Sequence, residues 1–146
     1  RCTSSVAELT SGHFQEVIDD ETAVAKKVER VLLCSGKIYY ELLDKKESDK
    51  RDDVAIVRLE QLDPLPRKQL AALQEKYGEA EWYWVQEEPV NMGAYAHLLR
   101  KLRQLNFEQA IARPASGAPA TGSGQRHRAE QQKLIDKAFA NVAVSA

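Results

Sequence analysis

Cysteine is nearly missing from this chain of 146 residues, which carries only Cys2 and Cys34. Two thiols without paired spacing make neither a disulfide framework nor a zinc site, and they suit a reducing compartment. Long hydrophobic runs are missing too. Nothing approaches the roughly 20 apolar residues that a membrane-spanning helix needs, and Arg1-Cys2-Thr3-Ser4-Ser5 is no signal peptide. The expectation is a soluble protein without a membrane partner. Neither charge dominates: 21 Lys and Arg stand against 22 Asp and Glu, a formal net charge of -1. The balance therefore gives no pull toward nucleic acid or anionic lipid, and any charged function has to be local. Histidine is scarce and scattered, at 13, 97 and 127. That spacing gives Cys34 no evident base, and it forms no Ser-His-Asp order or metal-ligand cluster. The polar opening without a methionine is what a domain excised from a longer parent would look like.

With 43% hydrophobic and 29% charged residues, the chain has the composition of a soluble globular domain, and its length fits one core. Residues 1–29 scatter their apolar side chains around Val17-Ile18 without a sustained period, which reads as a linker or an arm leading into a domain over 30–146. Arg30-Val31-Leu32-Leu33-Cys34-Ser35 and Val54-Ala55-Ile56-Val57-Arg58-Leu59 are continuous apolar runs of the kind found in strands buried on both faces. Between them, Ile38, Tyr39, Leu42 and Leu43 recur at helical spacing until the charged run Asp44 to Asp53. Pro64 and Pro66 break the chain before a helix marked by Leu70, Leu73 and Tyr77 and stopped at Gly78. Trp82 to Gln86 predicts a third strand, the stretch Glu87 to Gly93 a loop, and Ala94 to Arg103 a helix with Leu98, Leu99 and Leu102 as its apolar stripe. Phe107 to Ala112 offers one more strand and Gln125 to Phe139 a closing helix. Between those two, Arg113 to Gly124 is too rich in small residues for any regular element.

Strands alternating with helices predict a three-layer α/β fold, a mostly parallel sheet with helices on both faces, because parallel neighbours need crossover connections. In such sheets ligands and interfaces gather at the carboxyl ends of the strands. Ser35-Gly36-Lys37 lies at one of them, where backbone N–H groups, a helix dipole and a lysine would face a common anion. The plainer reading makes Ser35 a helix N-cap and Lys37 a solvated side chain. Glu87-Glu88 after the third strand point to opposite sides of an extended segment, so they do not form an acid/base pair by adjacency. Their loop is either a contact surface or simply solvated. Arg113, Arg126, His127, Arg128 and Lys133 predict a basic rim for a phosphate-bearing effector or an acidic partner domain. No aromatics interleave there, which argues against a nucleic-acid groove.

Four blocks carry a family resemblance. They are Arg30 to Leu42, Val54 to Leu62, Trp84 to Ala94 (which contains Gln-Glu-Glu-Pro-Val-Asn-Met-Gly) and Arg113 to Gly122. In this order they resemble the C-terminal domain of the thiamine-diphosphate-dependent decarboxylating component of 2-oxoglutarate dehydrogenase. The chain departs from some relatives at Met92, where Gln is frequent, and at Tyr95-Ala96, where Trp often follows the alanine. The resemblance implies a transketolase C-terminal-like fold: a mainly parallel sheet with one antiparallel edge strand. It implies a parent that decarboxylates 2-oxoglutarate on thiamine diphosphate with magnesium and passes the succinyl group to a lipoyl carrier of the dihydrolipoyl succinyltransferase component. This segment, which lacks a Gly-Asp-Gly opening, is then non-catalytic and holds no cofactor. It would help build a homodimer against the rest of the parent polypeptide, in a bacterial cytoplasm or a mitochondrial matrix.

The resemblance further implies an acetyl-coenzyme A or AMP effector near Ser35, Gly36 and Lys37, with Arg113 as second anion contact. Gln86, Glu87, Glu88, Asn91 and Gly93 would make an interface loop. Three other readings stand beside it: the same domain of a 2-oxoadipate dehydrogenase, an independent small-anion or nucleotide module, and a self-contained Cys34 enzyme.

Overall fold

A computed structural model describes residues 3–102 and 107–140. Its elements are α1 (Val6–Ser11), β1 (Val17–Ile18), a 3-10 turn (Ala25–Lys27), β2 (Arg30–Cys34), α2 (Ile38–Ser48), β3 (Val54–Leu59), α3 (Arg67–Tyr77), β4 (Glu81–Pro89), α4 (Tyr95–Lys101), β5 (Phe107–Arg113) and α5 (Gly124–Ala138). The strands form a sheet of order β1-β3-β2-β4-β5. β2 pairs in parallel with β3 and β4, β4 in parallel with β5, and among the described residues only β1 runs antiparallel, against β3. The fold is thus the expected three-layer α/β arrangement.

Side-chain alternation along the strands sorts the core into two faces. Val31, Leu33, Ala55, Val57, Leu59, Trp82 and Trp84 turn toward α3 and α4, where Leu70, Tyr77, Leu98 and Leu102 meet them. Leu32, Cys34, Val54, Ile56 and Val85 turn the other way, toward Ile38 and Leu42 of α2 and Leu134, Ile135 and Ala138 of α5. β2 is buried along all five residues, as its continuous apolar run predicts. At the far end of α5, Arg30 donates from Nη1 to the carbonyls of Ala138 (3.1 Å) and Ala140 (2.6 Å). Arg51 Nη1 donates to the Phe139 carbonyl at 2.6 Å. Two guanidinium groups thereby satisfy the orphan carbonyls of a helix C-terminus, where its dipole is negative.

Several boundaries differ from the sequence reading. The segment read as a linker or arm packs on the sheet over 17–28: Val17 and Ile18 pair with Leu59 and Arg58, and Val28 belongs to the core. α2 runs into the charged stretch because Lys46 is not solvated. It is 7% exposed and donates from Nζ to Asp20 Oδ2 at 2.6 Å. β4 continues through Glu87 and Glu88 to Pro89. The stripe of α4 is Leu98 and Leu102, four residues apart, while Leu99 is 44% exposed. The expected end of that helix at Arg103 lies outside the described residues, as does Cys2.

Asp20 holds the arm in place. Its Oδ2 accepts the backbone N–H of Ile56 at 2.9 Å, and its Oδ1 accepts the N–H and hydroxyl of Thr22 at 3.0 and 2.7 Å. A carboxylate therefore satisfies a backbone donor on the edge of β3 that the two-residue β1 does not reach. Asp19 adds a second tie through Lys76 and the Tyr77 hydroxyl, the latter at 2.6 Å. Burial opposes the charge on Asp20, but hydrogen bonds from Lys46, Ile56 and Thr22 outweigh it and lower the carboxyl below the ordinary aspartate value of 3.8. The charged form is thus favoured in the folded state. Its stabilisation is full above that value and is lost as the pH falls through the folded one. Lys46→Met is expected to destabilise the domain by roughly 3 to 5 kcal/mol in urea at pH 7, because it leaves a buried carboxylate unpaired. The gap between wild type and Asp20→Asn should narrow as the pH drops below about 4, and a gap independent of pH would contradict this assignment.

Candidate functional site

The connections from the two central strands leave the sheet on opposite faces. β2 leads into α2 on one side, while β4 leads into α4 on the other. A crevice opens at such a switch point, beyond the carboxyl ends of the two strands. Here it is a cleft of about 610 Å³ whose walls include Ser35, Gly36 and Lys37 after β2 and Gln86, Glu87, Glu88 and Gly93 at the end of β4. The structure therefore brings together most of the residues singled out from the sequence.

Their roles within it diverge. Ser35 is not the helix N-cap: Lys37 holds that position, and no side chain caps the start of α2. Gly36 takes the left-handed conformation, with φ 73° and open space beside it. Lys37 is solvent-exposed, its side chain 65% accessible, and it is also paired. Its Nζ donates to Glu87 Oε1 at 2.7 Å and to Glu41 Oε1 at 3.1 Å, and the bond to Glu87, ahead of the one to Glu41, raises its pKa above the ordinary lysine value. The ammonium is charged but already held by two carboxylates.

Gln86 faces inward. It is 3% exposed and braces the turn that follows. Its Oε1 accepts from Trp84 Nε1 (2.7 Å) and the Tyr95 N–H (3.2 Å), and its Nε2 donates to the carbonyls of Pro89 (3.0 Å) and Met92 (2.7 Å). Gly93, at φ 67°, passes over this amide so closely that an added Cβ would stand 3.0 Å from Gln86 Oε1. Glu88 points outward and is exposed. Glu87 turns the other way, to Lys37 and to Gln131 Nε2 at 3.1 Å. Asn91 grips the small-residue segment in a two-bond clamp, donating to the Ser116 carbonyl and accepting its N–H, both at 3.0 Å. That segment is regular in neither sense, yet it is tied down.

Arg113 does not line the crevice with Lys37, nor does it belong to a solvated basic rim. It is 7% exposed and borders a separate cavity of about 140 Å³ beneath Pro114 to Thr121, beside Arg126 and Glu130. Its Nη2 lies 2.9 Å from Gln131 Oε1 and 3.0 Å from His127 Nδ1. Arginine has no acceptor, so His127 must offer Nδ1 as a lone pair and carry its proton on Nε2. Arg113 Nε is buried without a hydrogen-bond partner, and Glu130 Oε2 stands 3.9 Å away. Gln131, which joins this cavity to the crevice, was invisible in the sequence, where it is one polar residue on a polar helix. His97 ties α4 to the loop after β3 through the Leu62 carbonyl, 3.1 Å from its Nε2.

Cys34 is fully buried, and burial pushes its thiol up to about 12. Burial therefore disfavours a thiolate at this position at neutral pH.

The amino-acid sequence matches the family model described as 2-oxoglutarate dehydrogenase C-terminal over residues 3–139. A chain of this topology with that match belongs to the 2-oxoglutarate dehydrogenase C-terminal family. It is 44% identical over 147 residues to the multifunctional 2-oxoglutarate metabolism enzyme of Mycolicibacterium vanbaalenii, covering 93% of this chain and 12% of that protein. It is 41% identical over 145 residues to the 2-oxoglutarate dehydrogenase E1 component of Azotobacter vinelandii, covering 93% of this chain and 15% of that one. The chain thus spans only 12% to 15% of the length of these relatives.

Two outcomes follow from the geometry. Cys34 should remain unlabelled by iodoacetamide in the native protein at pH 8 and become labelled in urea, as read by peptide mass mapping; native labelling would refute its burial. Gly93→Ala should destabilise the domain by roughly 1 to 3 kcal/mol in urea unfolding, since it sets a Cβ against Gln86 at a positive φ.

Proposed function

We propose that this chain is the non-catalytic C-terminal domain of a 2-oxoglutarate dehydrogenase. The parent would decarboxylate 2-oxoglutarate on thiamine diphosphate and transfer the succinyl group to a lipoyl carrier on the dihydrolipoyl succinyltransferase component. The family match over residues 3–139 carries this reading, together with relatives whose names place them in 2-oxoglutarate chemistry. Among the described residues no three His, Cys, Asp or Glu side chains are grouped to hold a metal ion. Magnesium and thiamine diphosphate belong, in this reading, to the remainder of the parent. Among the described residues no helix is long and apolar enough to cross a membrane. The relatives are bacterial, which favours the cytoplasm over a mitochondrial matrix.

The domain's own contribution is assembly and effector response. It would pack against the rest of the parent polypeptide and a second copy of it, with Glu88 on an outward-facing strand end. An acetyl-coenzyme A or AMP effector would use the crevice at Ser35, Gly36 and Lys37, where the start of α2 lacks a side-chain cap. Glu41 and Glu87 compete with such an anion for Lys37, so affinity would be modest and governed by that exchange.

The parent enzyme, assayed with thiamine diphosphate and magnesium, is expected to reduce ferricyanide with 2-oxoglutarate in preference to 2-oxoadipate, and the isolated chain to be inert. A preference for 2-oxoadipate would reassign the substrate, and turnover by the chain alone would overturn the non-catalytic role. In calorimetry, Lys37→Ala should weaken acetyl-coenzyme A or AMP binding by roughly tenfold, while Glu87→Gln should strengthen it. Unchanged affinity in both variants removes the crevice lysine from the effector site.

A further inference from the structure

We propose that Gln131 couples the Arg113 cavity to the strand-end crevice, so that a rearrangement at one is transmitted to the other. Gln131 is 7% exposed and every arm of its amide is engaged. Its Oε1 accepts from Arg113 Nη2 at 2.9 Å, and its Nε2 donates to Glu41 Oε2 at 2.9 Å and Glu87 Oε1 at 3.1 Å. The orientation is fixed by chemistry. A flipped amide would set its NH₂ against a guanidinium and its carbonyl against two carboxylates. Those two carboxylates are the ones that hold the Lys37 ammonium, at 2.7 and 3.1 Å. One amide thus links a buried cation to the pair of anions that positions a second cation.

The Arg113 end is the one prepared to move. Nη2 divides its donation between Gln131 and His127, and Nε has no hydrogen-bond partner although it is buried. A buried donor left unmade is an energetic liability that any nearby acceptor would relieve. The cavity beside it, about 140 Å³ and also bordered by Ser116, Thr121, Arg126 and the Glu130 carboxylate, whose Oε2 stands 3.9 Å from Arg113 Nε, has room for a small anionic group. Arg113 turning to meet such a group gives up Gln131. The amide then loses its anchor, its hold on Glu41 and Glu87 slackens, and Lys37 gains freedom in the crevice. The linkage itself requires no effector; that an anion triggers it rests on the effector reading above.

A three-residue mutant cycle tests the coupling without ligand. Arg113→Met and Glu87→Gln, singly and together, are compared by urea unfolding in the wild-type and Gln131→Met backgrounds. Arg113 and Glu87 share no hydrogen bond or ion pair, so independent sites would give additive effects. The coupling predicts that in the wild-type background the unfolding constant of the double variant departs from the product of the singles by roughly threefold or more, and that the departure vanishes with Gln131→Met. Additivity in both backgrounds, or a departure that survives Gln131→Met, overturns the assignment. If Arg113→Met fails to fold, Arg113→Lys serves instead, read by the carboxylate carbon resonances of Glu41 and Glu87. They should shift in the wild-type background and stay in place with Gln131→Met; shifts that persist, or none in either, overturn it equally. A failed cycle leaves the effector reading standing, and failed calorimetry on Lys37→Ala leaves the coupling standing.

Discussion

The burial of β2 on both faces is the constraint from which the rest follows. All five of its residues are enclosed, and it lies between two parallel neighbours. Neither neighbour can be reached by a tight turn, so the chain leaves each strand through a helix. Those helices divide between the faces because both faces of the strand need cover. The crevice at the carboxyl ends of β2 and β4 is the geometric residue of that division. A candidate site therefore appears where no single element builds one.

Buried polar groups then fix what hydrophobic burial leaves loose. Asp20 with Lys46 ties the arm and α2 to the edge of the sheet. Gln86 braces the turn after β4, and Gln131 joins α2, β4, β5 and α5 by hydrogen bonds. Each acts through directional contacts in a medium where an unmade bond is expensive, so each selects one arrangement among many of similar apolar area. Arg113 and Arg30 are less complete, each buried with its Nε donor unmet.

Family membership constrains the biology from outside the chain. The match covers nearly all of these residues but only 12% to 15% of the relatives' length. Within the chain, Lys37, Glu41, Glu87 and Gln131 form a linked set, while the one described thiol is buried.

Much of the architecture was legible beforehand, because strand burial and helical spacing are local periodic signals. The runs at 30–35 and 54–59, the Pro64 and Pro66 break, the stop at Gly78 and the closing helix all gave themselves away by composition. Ser35-Gly36-Lys37 and Glu87-Glu88 were legible only as strand-end segments; that they face one crevice followed from the strand order. What periodicity does not encode is which charged side chain is buried. Lys46 sits in a run of charges and Asp20 in a polar arm, and only the approach of two segments 26 residues apart makes them a pair. Likewise Gln86 reads as a surface residue until β4 turns it inward, and Arg113 reads as a rim cation until α5 closes over it. The sequence by itself determined the elements, their alternation and hence the sheet. The tertiary structure alone decided the partners of the polar groups, since hydrogen bonding between distant residues depends on ångström-scale geometry that no local pattern records.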